Sequence, residues 1–252
     1  GHQLLAGKSI LITAAAGAGI GYAAAKRCAE AGCRALAMSD VHPRRLEEAV
    51  ERLKAETGLQ AVYGQLCNVT VEADVQALIA AAEDALGGVD VLINNAGLGG
   101  QVRLTEMTDE QWSSVLDITL TGTMRMTRAM LPHMERRGAG AIVNNASVLG
   151  WRAQKEQAHY AAAKAGVMAL TRCSALEAAE SGVRINAVAP SIALHDFLKK
   201  AASSELLDQL TSREAFGRAA EVWEVANVMV FLASDYASYM VGEVLPVSSQ
   251  QA

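Results

Sequence analysis

The chain is short of the features that would place it in several broad protein classes. Its four cysteines, Cys28, Cys33, Cys67 and Cys173, show neither a CxxC pair nor metal-ligand spacing with histidine. No metal site is expected, and the cysteines read as small apolar packers in a reducing compartment. The 22 basic and 27 acidic residues give a formal net charge of -5 with no block of like charge, which argues against a nucleic-acid or anionic-membrane partner. No run approaches the roughly 18 to 20 apolar residues that span a bilayer, and the N-terminus lacks the parts of a signal peptide, so a cytoplasmic protein is expected. Repeats, low-complexity runs and interdomain linkers are missing as well. What is left is a chain of 252 residues, 51% hydrophobic. That is long enough to bury a substantial core, and a single domain over residues 1–252, working on small molecules, is the expectation.

What is present alternates between short apolar strands and amphipathic helices. The run Ser9 to Thr13 leads through the turn AAAGAGIG, residues 14–21, into the helix YAAAKRCAEAG, closed by Gly32. Gly17, Gly19 and Gly21 stand where backbone must come close to a ligand, and the helix start offers free N–H groups to a pyrophosphate. A tight connection, or the glycine turn of a methyltransferase, would look the same. A second strand, Arg34 to Ser39, ends at Asp40, placed to accept both hydroxyls of an adenosine ribose and to repel a 2′-phosphate. NAD is therefore expected rather than NADP, with Arg44 and Arg45 either a solvated helix start after Pro43 or a counter-signal.

A helix over residues 42–58 with Leu46, Val50 and Leu53 inward, a strand Gln60 to Leu66 ending at Cys67-Asn68, and a helix Val71 to Leu86 extend the βαβ pattern. A buried strand, Val89 to Ile93, opens into Asn94-Asn95-Ala96-Gly97. These residues form either an ordinary turn or a wall of a nucleotide site at the sheet's carboxyl edge. One long helix is expected over Asp109–Met134 and another over Ala158–Ala179. Both are rich in alanine and methionine on several faces, so a homodimer or homotetramer is expected. A sixth strand, Gly182 to Val188, ends at Ala189-Pro190. Residues 191–213 break the alternation as a mobile substrate lid would, and WEVANVMVFLAS and GEVLPV supply a last helix and strand.

The chemistry concentrates in residues 147–164, SVLGWRAQKEQAHYAAAK. Tyr160 and Lys164, four residues apart, share a helix face, so the ammonium can act on the phenol and make it a better acid and base. Ser147 is too far back to join them by helical spacing. The fold must carry it there from the end of the strand AIVNNA, residues 141–146. The competing reading is a surface tyrosine and lysine on an alanine-rich helix.

With the glycine turn, Asp40, NNAG at 94–97, Ser147, Tyr160-Ala-Ala-Ala-Lys164 and NAVAP at 186–190 in order, the chain resembles the short-chain dehydrogenase/reductase family over nearly its whole length. The resemblance implies an α/β, Rossmann-type, doubly wound parallel sheet of seven strands flanked by helices on both faces. It also implies an NAD(P)-dependent oxidoreductase that interconverts a secondary alcohol and a ketone. Tyr160 would exchange a proton with the substrate oxygen, Ser147 would hold that oxygen, and Lys164 would lower the phenol's pKa and hold the nicotinamide ribose. Gly17, Gly19, Ile20, Gly21, Asp40, Asn68, Val69, Asn95, Ala96, Gly97, Tyr160, Lys164, Pro190 and Ile192 would line the cofactor.

Departures from the family pattern carry their own expectations. The turn has one more residue than the family's usual Thr-Gly-x-x-x-Gly-x-Gly. Asn68 replaces an aspartate near the adenine and is expected still to accept from the adenine amino group. Thr119 replaces the helix asparagine that completes the catalytic set, a role exercised largely through a backbone carbonyl, so activity is expected to persist. His195 stands near the usual cofactor-contacting threonine and either touches cofactor or substrate or is solvated. Within the family the pattern is similar to bacterial 3-oxoacyl carrier-protein reductases, and more narrowly to an actinobacterial subgroup of steroid-ring catabolism acting on CoA thioesters. Arg103, Arg152, Lys155, Lys199, Lys200 and Arg213 would then meet CoA phosphates or an acidic carrier protein, or serve as ordinary surface charge. A nucleotide-sensing regulatory protein of the same fold, without catalysis, is the alternative.

Overall fold

The computed structural model of the protein describes residues 3–194, 207, 211, 212 and 214–249. Strand β1 (Ser9–Ile12) is followed by α1 (Ile20–Glu30), β2 (Ala35–Asp40), α2 (Pro43–Thr57), β3 (Val62–Leu66), α3 (Glu72–Leu86) and β4 (Val91–Asn94). The second half runs through α4 (Asp109–Leu116), α5 (Gly122–Arg137), β5 (Gly140–Asn145), α6 (Ala158–Ala179) and β6 (Val183–Pro190). It continues with the short strands β7 (Ala193–Leu194) and β8 (Ala220–Glu221), then α7 (Val222–Ala233) and β9 (Val244–Val247). Seven strands form one sheet in the order β3-β2-β1-β4-β5-β6-β9, and every neighbouring pair is parallel.

Both faces of this sheet are covered, and the pleat decides which side chain goes where. Ile10 and Ile12 of β1 pack with α1, α2 and α7, whereas Leu11 between them packs with α3, α5 and α6. Val91 and Ile93 against Leu92 repeat the alternation on β4. A parallel sheet buried on both sides needs strands that are apolar at every position, as SILI and VLIN nearly are. Each fully buried leucine or isoleucine contributes on the order of 1.5–3 kcal/mol. Helix α2 begins with Pro43 in its first turn and ends at Gly58 with φ 76°, a left-handed conformation that glycine adopts without a Cβ penalty. Leu46, Val50 and Leu53 face inward as their spacing predicts.

Two expectations change. The long helix over Asp109–Met134 is broken by a π-helical turn, Asp117–Thr121, between α4 and α5. The side chain of Thr119 is tied to a loop outside the helix, and Gly122 lies so close to Val69 that a Cβ would sit 2.7 Å from Val69 Cγ2. The expected lid at 191–213 begins with β7, which pairs with β8 rather than running free. The rest of the lid, including His195, Lys199, Lys200 and Arg213, lies outside the described residues. Among the described residues no helix is long and apolar enough to cross a membrane, and no cluster of three or more His, Cys, Asp or Glu could hold a metal ion.

Candidate active site at the carboxyl edge of the sheet

The strand order reverses between β1 and β4. The chain adds β2 and β3 on one side of β1 and β5, β6 and β9 on the other. At such a point the connections leave in opposite directions and a crevice opens at the carboxyl ends of the strands. Of the residues expected to line the cofactor up to Gly97, all apart from Asn68 and Val69 lie in the turn after β1, in the first turn of α1, or at or just beyond the ends of β2 and β4.

Two pairs of asparagines build the floor of this crevice. Asn94 Nδ2 donates to Asn144 Oδ1 (2.9 Å) and Thr127 Oγ1 (3.1 Å), and Asn144 Nδ2 donates to Thr171 Oγ1 (2.9 Å). This buried network locks β4 and β5 to α5 and α6. One residue further along each strand, Asn145 Nδ2 donates to Asn95 Oδ1 (3.0 Å), and Asn95 Nδ2 donates to Ala14 O (3.1 Å) and Thr13 O (3.3 Å). The backbone N–H groups of Asn95 and Ala96 both donate to Thr13 Oγ1. The NNAG segment is therefore a brace between the glycine turn and β5, not an ordinary turn. The contribution of Asn144 and Asn145 escapes a reading that treats AIVNNA as an apolar strand. The signal lies in the sequence: VLINN at 91–95 and AIVNN at 141–145 each run an apolar stretch into a pair of amides.

Asn145 also receives the lysine. Lys164 Nζ donates to Asn145 O at 2.5 Å and lies 5.5 Å from the centroid of the Tyr160 ring. Ser147, at the end of the turn after β5, lies close enough to Tyr160 for its hydroxyl to lower the phenol's proton affinity, and accepts a hydrogen bond from Leu149 N (3.2 Å). The structure thus brings Ser147, Tyr160 and Lys164 together, with strand β5 delivering the serine and helix α6 the other two. Burial dominates their proton affinities. It pushes the Tyr160 phenol up to about 12, opposed by the Ser147 hydrogen bond, and pulls Lys164 down to about 8.

The loop after Gly97 passes across the same site. A Cβ on Gly97 would lie 3.5 Å from Lys164 Nζ, and one on Gly99 would lie 3.7 Å from the Tyr160 ring. Thr119 anchors this loop, donating to Leu98 O (3.2 Å) and accepting from Leu98 N (3.0 Å). Its own carbonyl accepts from Thr123 Oγ1 (2.8 Å). The hydroxyl is thus spent on the loop rather than on Lys164. His159, beside Tyr160, was not singled out from the sequence. It is buried against Gly100, its Nδ1 has no partner, and burial lowers its pKa.

The turn after β1 fits a dinucleotide. A Cβ at Gly17 or Gly19 would meet nothing within 4 Å, so the backbone there is open to a ligand, and Gly19 leads into α1 with no side chain capping the first-turn N–H groups. Gly21 is packed differently. A Cβ there would collide with Ala14 O and lie 2.5 Å from Asn95 Nδ2. Asp40 ends β2 beside the turn, accepting from Ala16 N (3.3 Å) and His42 N (3.1 Å), with burial raising its pKa. Each carboxylate oxygen keeps a lone pair for a ribose hydroxyl. Asn68 is less available than expected, because its Oδ1 already accepts from both Thr70 N (3.1 Å) and Thr70 Oγ1 (2.9 Å). Val69 is buried against the π turn, Pro190 is buried at the end of β6, and Ile192 O accepts from Ala220 N (2.9 Å).

Comparison with known proteins agrees with this architecture. Residues 14–249 match the family model described as enoyl-(acyl carrier protein) reductase. The chain is 59% identical, over 99% of its length and 95% of the relative's, to a (5R,7aS)-5-hydroxy-7a-methyl-1-oxo-2,3,5,6,7,7a-hexahydro-1H-indene-carboxyl-CoA reductase of Mycobacterium tuberculosis. It is 36% identical to a 3-oxoacyl-[acyl-carrier-protein] reductase of Staphylococcus epidermidis, covering 96% and 97% of the two chains. Among solved structures, a short chain dehydrogenase from Mycobacterium smegmatis superimposes with a TM-score of 0.88 at 55% identity, covering 100% of this chain and 96% of the other. Levodione reductase does so with a TM-score of 0.91 at 34% identity, covering 97% of each. Glycine turn, twin asparagine braces and the gathered serine, tyrosine and lysine thus sit on a shared fold: the chain belongs to the short-chain dehydrogenase/reductase family of oxidoreductases.

Proposed function

We propose that the protein interconverts a secondary alcohol and a ketone on a ring system carried as a CoA thioester, using NAD. The observation that carries the reading is the convergence of Ser147, Tyr160 and Lys164 at the crevice beside the open glycine turn and Asp40. When bound, the nicotinamide supplies or accepts the hydride. Tyr160 gives its phenolic proton to the substrate oxygen in reduction and takes it back in oxidation, while the Ser147 hydroxyl holds that oxygen in line. Lys164, braced on Asn145, places a positive charge beside the phenol and offsets the burial that opposes phenolate formation. Thr119 positions the 97–99 loop against these groups rather than acting on substrate.

NAD is favoured because Asp40 occupies the end of β2 with its carboxylate toward the turn, and because Arg44, one of the two counter-signals, pairs with Glu48 of its own helix at 2.8 Å. The CoA thioester draws on the name of the mycobacterial relative and on the rim of the crevice. There a hydrogen bond from Val102 N to Glu156 O (3.1 Å) joins the loop bearing Arg103 to the segment bearing Arg152 and Lys155. Arg152 Nη1 is buried without a partner, a donor free for a phosphate or thioester oxygen. Self-association is part of the reading, since Trp112 on α4 and Leu176 on α6 are 38% and 72% exposed. All four cysteines are free thiols, which suits the cytoplasm; Cys28, Cys33 and Cys67 are buried as apolar packers, whereas Cys173 is exposed.

The deciding assay follows nicotinamide absorbance with NAD and NADP against fused-ring ketones and alcohols, each as free acid and as CoA thioester. Turnover with NAD, faster for thioesters, is expected. No hydride transfer to or from any of them would overturn the reading.

A further inference from the structure

The cofactor turn is longer than the family's usual one, and it is held from outside by a residue that no motif predicts. Gly17 has φ 104°, a conformation open in practice only to glycine, and its carbonyl accepts a hydrogen bond from Arg52 Nη2. Arg52 belongs to α2, the next helix in the layer. Its guanidinium carbon lies 3.6 Å from the centroid of the Tyr22 ring, which projects from the first turn of α1 and is itself buried. A guanidinium stacked flat on an aromatic face has little freedom left, so its N–H groups are aimed before any ligand arrives. Glu56 completes the arrangement, 4.0 Å from Arg52 and 2.8 Å from Lys26 of α1, which fixes α2 against α1 at this point.

The consequence follows from peptide geometry. The peptide between Gly17 and Ala18 is trans, so the Gly17 carbonyl and the Ala18 N–H point in opposite directions. We propose that Arg52, stacked on Tyr22, is a positioning residue for the pyrophosphate of the dinucleotide. By holding the Gly17 carbonyl outward, it turns the Ala18 N–H away from itself and toward the phosphates. Without that hold, the turn loses conformational entropy on binding that it otherwise loses on folding. The proposal rests on the dinucleotide reading above and adds a determinant of phosphate affinity outside the glycine turn.

The test uses the full chain and calorimetric titration with NAD and with adenosine, which has no phosphate. Arg52 is half-exposed, and two substitutions are compared: Arg52→Ala, which removes stack and donor, and Arg52→Met, which keeps cover over the Tyr22 ring but cannot donate. Both are expected to weaken NAD roughly 5- to 20-fold, less than the full worth of one charge-assisted hydrogen bond because Arg52 acts on the phosphates only through the turn. Adenosine binding should change by less than about twofold. Unchanged NAD affinity in both variants, or a parallel loss for NAD and adenosine, overturns the clamp. A wild-type chain that binds no NAD would instead bring down the cofactor reading itself.

Discussion

Lys164 is held by the backbone carbonyl of Asn145, 2.5 Å from its Nζ, and not by Tyr160, from whose ring centroid it stands 5.5 Å away. The carbonyl belongs to the same asparagine whose amide braces Asn95, so the lysine is aligned by the floor of the nucleotide crevice rather than by the phenol. Two positions on one helix face explain why lysine and tyrosine are neighbours. The end of β5 explains where the ammonium points.

Tyr160→Phe should lower turnover by about 10²–10⁴-fold, the usual worth of a positioned acid–base group, while leaving NAD affinity within a factor of a few. Steady-state kinetics together with a binding titration separate the two. A variant that retains wild-type turnover removes the tyrosine from the mechanism.

Burial of Lys164 predicts a pH-dependent cost to folding. Its folded pKa, about 8, lies below the value of about 10.5 in an unfolded chain, so the folded state binds fewer protons between these values and its stability rises with pH across that window. Below about pH 8 both states carry the charge and the cost is fully present. Compared with Lys164→Met, the wild type should gain about 2–3 kcal/mol between pH 7 and pH 10, read from urea denaturation at each pH. A constant difference between the two proteins would show that the ammonium is not desolvated.

Asp40→Ser removes the carboxylate that, in the proposed NAD reading, would accept from the ribose and repel a 2′-phosphate. The ratio of kcat/KM for NAD over NADP should fall by roughly tenfold or more, equivalent to about 1.4 kcal/mol. An unchanged ratio would mean that the preference is set elsewhere.

Thr119→Val keeps the shape of the side chain and removes a hydroxyl that both donates to and accepts from Leu98. Leaving those groups unpaired should cost about 1–3 kcal/mol in denaturant unfolding. Turnover should drop with the loosened 97–99 loop, while NAD affinity, set mainly at the other end of the crevice, should change little.

Much of this was legible in the chain by itself. Strands such as SILI and VLIN, apolar at nearly every position, can exist only between two helical layers. The four-residue spacing of Tyr160 and Lys164 puts them on one helix face whatever surrounds the helix, and Asp40 follows its strand at the right distance from the glycine turn. These are local properties, fixed by backbone periodicity within a few residues of chain. What only the tertiary structure decided is everything that joins residues from different elements. Arg52 reaches Gly17 across 35 residues of sequence, Asn145 reaches Asn95 across 50, and Thr119 reaches Leu98 across 21. A hydrogen bond of this kind has no period and leaves no pattern in either segment. Its partners become neighbours only when parallel strands in the order β2-β1-β4-β5 bring their carboxyl ends to one edge. The π turn around Thr119 belongs with them, because the apolar pattern of a continuous helix runs straight through it, and only the contacts to Leu98 and Val69 reveal why the helix widens there.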